Sequence, residues 1–412
     1  MTASFSAGDL VTCTYGNMTL SGTYITDRDG MVVVKLSSGY NIGVEKTCCS
    51  LVFPAKTPSA RPAPVKQDPR LPELAIISTG GTIASRIDYR TGAVTSQFDA
   101  DDILTAIPAL AEIGRYHTKQ LYTILSENMT PMIWQELAKA IYDEIKLGVA
   151  GVIVTHGTDT MAYSAAAVSF MIDTPVPVVF VGSQRSADRP SSDNAMNAVC
   201  AACTAESELG EVAIVMHGTT NDDFCAIHRG TRVRKMHTSR RDAFKSIGIP
   251  PVGTVDYTTR TVTLTEEAVR RGSHKLVLHN NLEPHCGLIQ FYPGMSSDVL
   301  KGYEGYKGLI LSGTGLGHVS TILIPHIKAL IADGAQVVMT SQCMNGRVCD
   351  RVYDTGRDLL AAGVIEGGDM LPEVALVKQM WVLANEKDPE KAATLMKTDL
   401  KGECMRRSAH GL

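Results

Sequence analysis

Two short stretches place hydroxyl and carboxylate side chains where chemistry could be done. Val152-Ile-Val-Thr-His-Gly-Thr-Asp-Thr-Met161 begins as a β-branched run, turns at Gly157, and continues into Met161-Ala-Tyr-Ser-Ala-Ala-Ala167, a helix-forming composition. Thr158 and Asp159 stand at that strand-to-helix junction. Open α/β sheets bind ligands beyond the carboxyl ends of their strands, where helix N-termini offer unpaired N–H groups. Both residues are also favoured helix caps, and taken alone capping is the commoner role. A second junction shifts the balance. Leu74-Ala-Ile-Ile-Ser-Thr-Gly-Gly-Thr-Ile-Ala84 is another apolar run, and it ends in Ser78, Thr79 and paired glycines that let backbone approach a ligand closely. Two strand ends that each carry a threonine point to one shared pocket. A threonine nucleophile needs a neighbouring base, and a lysine held by Asp159 would supply one to Thr158.

The segments STGGTIA (78–84) and THGTDTM (155–161) resemble the two signature segments of the bacterial-type asparaginase/glutaminase family, in the right order and over roughly residues 74–412. That resemblance implies a threonine-dependent amidohydrolase. It selects Lys235, inside the basic run Arg229 to Arg241, as the lysine that joins Thr158 and Asp159. It matches Ser126 and Glu127, in Leu121-Tyr-Thr-Ile-Leu-Ser-Glu-Asn-Met129, to the positions that hold the substrate's α-carboxylate and α-amino group. Glu127 as an anion suits an ammonium by direct charge pairing. Read without the family, Ser126 to Met129 would cap a helix over 133–142. The resemblance also implies a mobile segment after the first strand that carries a tyrosine, for which Tyr89 is the candidate. Thr79 and Thr158 both remain candidate nucleophiles: Thr158 has its base in Lys235, and Thr79 lies beside the segment of Tyr89. Backbone N–H groups around Thr158 and Gly81 would hold the oxyanion. No metal is needed for this chemistry.

The elements that must position these residues follow from the rest of the chain. It has 412 residues, a net charge of −4 and a pI near 6.3, which provide ample core for two to three domains and no global attraction to nucleic acid. The basic run from Arg229 reads first as a solvated surface, and second as a tRNA-facing patch. No run of eighteen apolar residues and no leader-like N-terminus occur, so a cytoplasmic chain without membrane contact is expected. Ten cysteines in this length make no disulfide scaffold, and Cys200-x-x-Cys203 lies in a small-residue helical pattern without a second pair to complete a zinc site.

Residues 1–53 read as a small all-β, barrel-like domain of short strands separated by turn residues. Residues 54–72 are a Pro-rich, semi-extended linker. From 73 to 265 strands and helices alternate, predicting an α/β domain with a parallel sheet that carries the site, and 276–412 form a second α/β domain. The expected fold is therefore an asparaginase-like two-domain parallel-sheet core preceded by a small all-β domain. Lys307 to Gly317 feeds a strand into a glycine-rich turn, but the next strand lacks the acidic residue of a dinucleotide site, and tight turn packing explains it better.

A freestanding asparaginase has no need of residues 1–70. Their presence, with Ser38-Gly-Tyr-Asn-Ile-Gly43, resembles the branch of the family formed by the D subunits of archaeal glutamyl-tRNA(Gln) amidotransferases. That branch implies glutamine as substrate, ammonia delivered to a partner, the E subunit, and a homodimer of this chain within a heterotetramer. It implies tRNA(Gln) bound through the complex, with ATP and Mg used by the partner and no cofactor in this chain. Two other readings compete: a freestanding L-asparaginase, and an amino-acid-binding regulatory module without catalysis. The second requires a lost catalytic position, and Thr79, Thr158, Asp159 and Lys235 are all present.

Overall fold

The computed structural model describes residues 4–28, 30–37, 41–54, 65–80, 86–87, 94–95, 100–185 and 191–407. The N-terminal module is a five-stranded antiparallel sheet of β1 (Leu10–Tyr15), β2 (Met18–Arg28), β3 (Met31–Leu36), β4 (Asn41–Glu45) and β5 (Cys49–Phe53) in the order β4-β3-β2-β1-β5. Alternate residues face inward, and Val11, Cys13, Tyr24, Val32, Val34, Val44 and Cys49 make its small core.

The central domain is built on an eight-stranded sheet. Its parallel part comprises β6 (Glu73–Ser78), β7 (Arg115–Gln120), β8 (Gly151–Thr155), β9 (Val178–Val181) and β10 (Val212–His217). The chain then reverses. β11 (Phe224–Arg229) returns beside β10, and β14 (Gly253–Asp256) and β15 (Val262–Leu264) extend the sheet antiparallel, giving the order β15-β14-β11-β10-β9-β8-β6-β7. The sheet is thus mixed, where simple alternation of strands and helices predicts a parallel one. A six-residue connection, 218–223, is too short for a crossover helix and forces the reversal. Between β11 and β14, β12 (Val233–Lys235) and β13 (Phe244–Ser246) form a separate two-stranded ribbon.

The inner parallel strands β6, β8, β9 and β10 are covered on both faces, so their side chains are mostly apolar, whereas β7 at the sheet edge, Arg115-Tyr-His-Thr-Lys-Gln120, is largely polar. Ala75, Ile77, Val152, Val154, Val178 and Phe180 face one core, under α1 (Pro131–Leu147) and α2 (Met161–Met171). Leu74, Ile76, Ile153, Val179 and Val181 face the other, under α3 (Asn194–Glu206). α1 starts at Thr130, whose hydroxyl accepts from the Ile133 amide at 3.3 Å, and stops at Gly148 in the left-handed conformation. α2 is buried almost all round, because the C-terminal domain lies over it.

That C-terminal domain has a four-stranded parallel sheet of β16 (Cys286–Gln290), β17 (Gly308–Gly313), β18 (Gln336–Ser341) and β19 (Ile365–Glu366). Its helix α4 (Pro372–Asn385) packs on α2, and Leu371, Val374, Val377 and Met380 belong to the same core as Ala165 and Phe170. The glycine-rich turn after β17 closes on itself, with reciprocal backbone hydrogen bonds between Thr314 and His318 of 2.9 and 3.0 Å. Cys200 and Cys203 are buried in the core under α3, and none of the ten cysteines is bridged. Among the described residues no helix is long and apolar enough to cross a membrane.

Candidate active site

β6 and β8 pair in register, Ser78 opposite Thr155, so the residues that follow emerge side by side at the carboxyl end of the sheet. Thr79 is the first of them. Its amide donates to Thr155 O at 3.1 Å, its hydroxyl donates to the same carbonyl at 3.2 Å, and it is buried. Gly80 adopts φ +125°, and a Cβ there would stand 2.3 Å from Ile124 O, so no other residue fits. The absent side chain lets the loop after β7 press against the strand end, where the Ile124 amide donates to Thr79 O at 3.2 Å.

That loop delivers Ser126. The polar end of Leu121 to Met129 reads in sequence as the end of a strand, but the strand is Arg115–Gln120 and stops before it. Ser126, Glu127 and Asn128 form a single 3₁₀ turn. Ser126 does not cap α1, a role taken by Thr130; its own carbonyl instead accepts from the Thr160 hydroxyl at 2.7 Å. A Cβ on Gly157 would lie 2.8 Å from Ser126 Cβ, so Gly157 is the gap that admits the serine to the site. Ser126 is buried and Glu127 is exposed beside it.

Thr158 and Asp159 are not the caps of α2 either. The cap position is Thr160, without a capping side-chain bond. Both are instead held by Lys235, whose Nζ lies 2.9 Å from Thr158 Oγ1 and 2.8 Å from Asp159 Oδ1. Lys235 reaches them from β12, more than seventy residues along the chain, and its side chain is 13 % exposed against 70 % for Asp159. The lysine is thus enclosed, while its carboxylate faces the open side of the site. A hydroxyl, an amine and a carboxylate in one hydrogen-bonded row form an activated-nucleophile arrangement.

One residue of this site escapes sequence reasoning. His156 is buried between Thr155 and Gly157, and its Nδ1 lies 2.6 Å from Gly157 O. A carbonyl only accepts, so Nδ1 carries the proton and Nε2 is bare. Burial pushes its pKa down to about 4, which keeps the ring neutral. That bond ties the ring to the turn that carries Thr158; the signal in the sequence is a histidine directly after an apolar strand, between Thr155 and Gly157. A second organiser is Asp193, buried, which accepts from Ser183 Oγ at 2.8 Å, the Gln184 amide at 3.0 Å and the Arg185 amide at 2.9 Å. Ser183, Gln184 and Arg185 are thereby tied as one loop at the end of β9. Tyr89 and Gly81 lie outside the described residues.

The basic run is divided, with Arg229 to Lys235 buried or half-buried and Met236 to Arg240 exposed. Arg229 pairs with Glu211 at 2.7 Å, Arg232 with Asp369 at 3.0 Å, Arg234 with Glu373 at 3.3 Å, and Arg240 and Arg241 with Asp242 and Asp222, both at 2.5 Å. Each of these cations has a carboxylate partner that offsets its charge. Two other cavities, of about 550 and 270 Å³, are lined by none of the residues of the Thr79–Thr158–Lys235 site. Asp399, Glu403 and Cys404 bring ligand atoms within 4.8 Å of one another, but Glu403 is engaged by Lys378 at 2.5 Å.

Comparison with known proteins agrees with this layout. Residues 73–270 match the family model "Asparaginase, N-terminal", 285–396 match "Glutaminase/Asparaginase C-terminal domain", and 5–50 match "GatD N-terminal domain". The D subunit of the glutamyl-tRNA(Gln) amidotransferase from Methanosarcina mazei is 54% identical over 97% of this chain and 98% of its own length. The chain belongs to the D-subunit family of glutamyl-tRNA(Gln) amidotransferases. Other D subunits are similar over nearly full length: 53% identity for that of Halobacterium salinarum, covering 93% of this chain and 95% of that one, and 48% for that of Methanothermobacter thermautotrophicus, covering 99% and 96%. Among solved structures, the thermostable L-asparaginase from Thermococcus kodakarensis superposes with a TM-score of 0.72 at 32% identity, and L-asparaginase I from Vibrio cholerae with 0.69 at 28%. Each covers 81% of this chain and 99% of its own. The D-subunit family therefore adds to the asparaginase fold a portion that these asparaginases lack, and the asparaginase match begins only at residue 73, after the β module.

Proposed function

We propose that this chain is the glutaminase of a tRNA-dependent amidotransferase. The observation that carries the chemistry is Lys235 Nζ within hydrogen-bond reach of both Thr158 and Asp159. Glutamine binds with its α-carboxylate at Ser126 and its α-ammonium between Glu127 and Asp159. The Thr158 hydroxyl attacks the side-chain amide carbon, its proton passing to unprotonated Lys235, and the resulting tetrahedral centre expels ammonia as a proton returns to the leaving nitrogen. The γ-glutamyl ester left on the threonine is cleaved by water to give glutamate. Thr158 is favoured as the first nucleophile because it has the amine at 2.9 Å. The Thr79 hydroxyl is engaged with Thr155 O, which suits it to the second, hydrolytic stage or to substrate positioning.

The D-subunit relatives supply the context. Ammonia passes to a partner, the E subunit, that activates the glutamate of Glu-tRNA(Gln) with ATP and Mg, and two copies of this chain sit in a heterotetramer with two of the partner. The β module is the part that argues for this over a freestanding L-asparaginase, since the similar asparaginases have no counterpart for about a fifth of the chain. The test is ammonia release from glutamine and from asparagine by the purified chain, alone and with its partner and glutamate-charged tRNA(Gln). Release from glutamine that rises in the charged complex and disappears with Thr158→Ala is the expected result. Brisk asparagine hydrolysis indifferent to the complex would make the chain a degradative asparaginase.

A further inference from the structure

The lysine of the site sits on a slender support. β12 and β13 form a ribbon of two three-residue strands that, among the described residues, shares no ladder with the main sheet, and an isolated ribbon of this kind is marginal by itself. Something else must hold Lys235 Nζ at 2.9 Å from Thr158, because a displacement of about 1 Å would already break that hydrogen bond.

The strand's alternation shows what does. Side chains two apart share a face. Val233, fully buried, and Lys235 point into the central domain, toward its core and Thr158. Arg232 and Arg234 point the other way, into the C-terminal domain. Arg232 is 1 % exposed and held there by three bonds: its guanidinium donates to Asp369 O at 3.1 Å, to Asp369 Oδ2 at 3.0 Å and to Gly402 O at 3.1 Å. Arg234 reaches Glu373 at 3.3 Å and donates to Met344 Sδ at 3.1 Å. Glu373 lies in the first turn of α4 and is buried, with 4 % of its side chain exposed. Asp369 and Glu373 thus grip alternate residues of the ribbon from one loop-and-helix start, and the second grip falls on the residue adjoining the lysine.

We infer that Glu373 is a positioning residue for the amide hydrolysis: through Arg234 it lets the C-terminal domain set the reach of Lys235 to Thr158. The inference rests on the glutaminase reading of that site. It makes the placement of the base depend on the docking of a second domain, although among the described residues none of that domain hydrogen-bonds to Thr158, Asp159 or Lys235. Relative motion of two domains would be felt first at Lys235, since domain interfaces are where such motion is expected. Arg232 serves as the fixed anchor, enclosed by three acceptors. Arg234, 40 % exposed and held by one carboxylate and one sulfur, is the adjustable contact.

The experiment is steady-state glutamine hydrolysis by the full chain in the presence of its partner and glutamate-charged tRNA(Gln), with wild type, Lys235→Met, Glu373→Gln, Arg234→Met and the double variant, each accompanied by a thermal unfolding curve. Glu373→Gln keeps the side chain's size and removes its charge. It is expected to lower kcat at least tenfold, leave the glutamine KM within about twofold and leave the unfolding midpoint nearly in place. Arg234→Met should do the same, and the double variant should be no worse than either single change, because both act through one contact. A wild-type kcat in Glu373→Gln overturns the inference, as do losses that multiply in the double variant or a KM that rises while kcat holds. Wild type no faster than Lys235→Met would instead sink the glutaminase reading, and the inference with it.

Discussion

Gly157→Ala tests whether the gap between two loops is what admits Ser126 to the site. The added methyl would meet Ser126 Cβ at 2.8 Å, Ser126 Oγ at 3.0 Å and the Ser126 amide at 3.3 Å, where ordinary contacts begin at 3.4 Å. Relief therefore needs a shift of about 0.6 Å, the difference between 3.4 and 2.8. Rotating the serine side chain cannot supply it, since its Cβ and amide are among the atoms struck. The whole 3₁₀ turn must move, and with it either the Thr160 bond to Ser126 O at 2.7 Å or the turn of Thr158. Overpacking of this kind costs about 1–3 kcal/mol of stability. The catalytic cost is larger, because a displacement near 1 Å of a substrate-holding group lowers rate by roughly 10²-fold. The expected result is kcat/KM for glutamine down about 10- to 100-fold, with KM carrying most of it if Ser126 holds the α-carboxylate, in a protein that still unfolds cooperatively. The assay is initial ammonia release over a glutamine titration, with circular dichroism melting as the control. A variant with KM and kcat both within twofold of wild type would refute the assignment of Ser126.

The remaining expectations concern the nucleophile and two buried charges. Thr158→Val should abolish glutamine hydrolysis by at least about 10²-fold, the usual yield of a positioned base acting on its nucleophile, whereas retained activity with loss only in Thr79→Val would transfer the attack to Thr79; single-turnover ammonia release separates the two. Lys378 and Glu403 are both fully buried at 2.5 Å, and although burial pulls the Glu403 pKa upward, Lys378 and backbone N–H groups hold it low. Lys378→Met should cost about 3–5 kcal/mol in urea unfolding, and Lys378→Met with Glu403→Leu should recover much of it; a single-variant loss below about 1 kcal/mol contradicts this. Asp350 is buried with neither oxygen partnered among the described residues, and burial with the nearby Glu366 charge pushes its pKa from 3.8 up to about 7. An acid raised on folding stabilises below its unfolded value and loses that contribution as pH rises through about 7, so the stability gap between Asp350→Asn and wild type should widen in favour of the variant from about pH 5 to about pH 8. The full shift corresponds to about 4 kcal/mol and partial screening leaves about 2, and a gap independent of pH would show that Asp350 ionises normally in the fold.

How much of this was legible in the chain depends on the range of the interaction that fixes each feature. Strands β6, β8 and β9 were plain because burial on both faces makes their central residues apolar, and their glycine-bearing ends were plain because backbone approach admits little else. The reversal at β10 and β11 was not. Both strands have the composition of buried parallel ones, and only the length of the connection between them, visible once both ends are known, forbids a crossover. Leu121 to Leu125 is apolar and β-prone and reads as strand, yet its direction is set by Gly80 more than forty residues away, which draws Ile124 onto the end of β6.

The same distance rule divides the site itself. Thr79, Thr158 and Asp159 announce themselves by standing at strand ends, a local property. Lys235 does not, because in Arg-Val-Arg-Lys nothing distinguishes the lysine that meets Thr158 from its basic neighbours. Only family resemblance selects it. The structure supplies the physical reason for the choice: along β12 the pleat sends alternate side chains to opposite domains, so two of the three cations meet carboxylates 137 to 139 residues ahead, and the third meets a threonine and an aspartate 76 to 77 residues behind. A run of positive charge that looks like a surface is here a seam between domains. Arg232 and Lys235 persist in the interior because each has a carboxylate or a hydroxyl to face, and shifting the strand's register by one residue would turn the lysine away from Thr158 and bring an arginine against the central core. Lys235 is therefore specified less by its own side chain than by the arginines on either side of Val233 that prevent the strand from sliding.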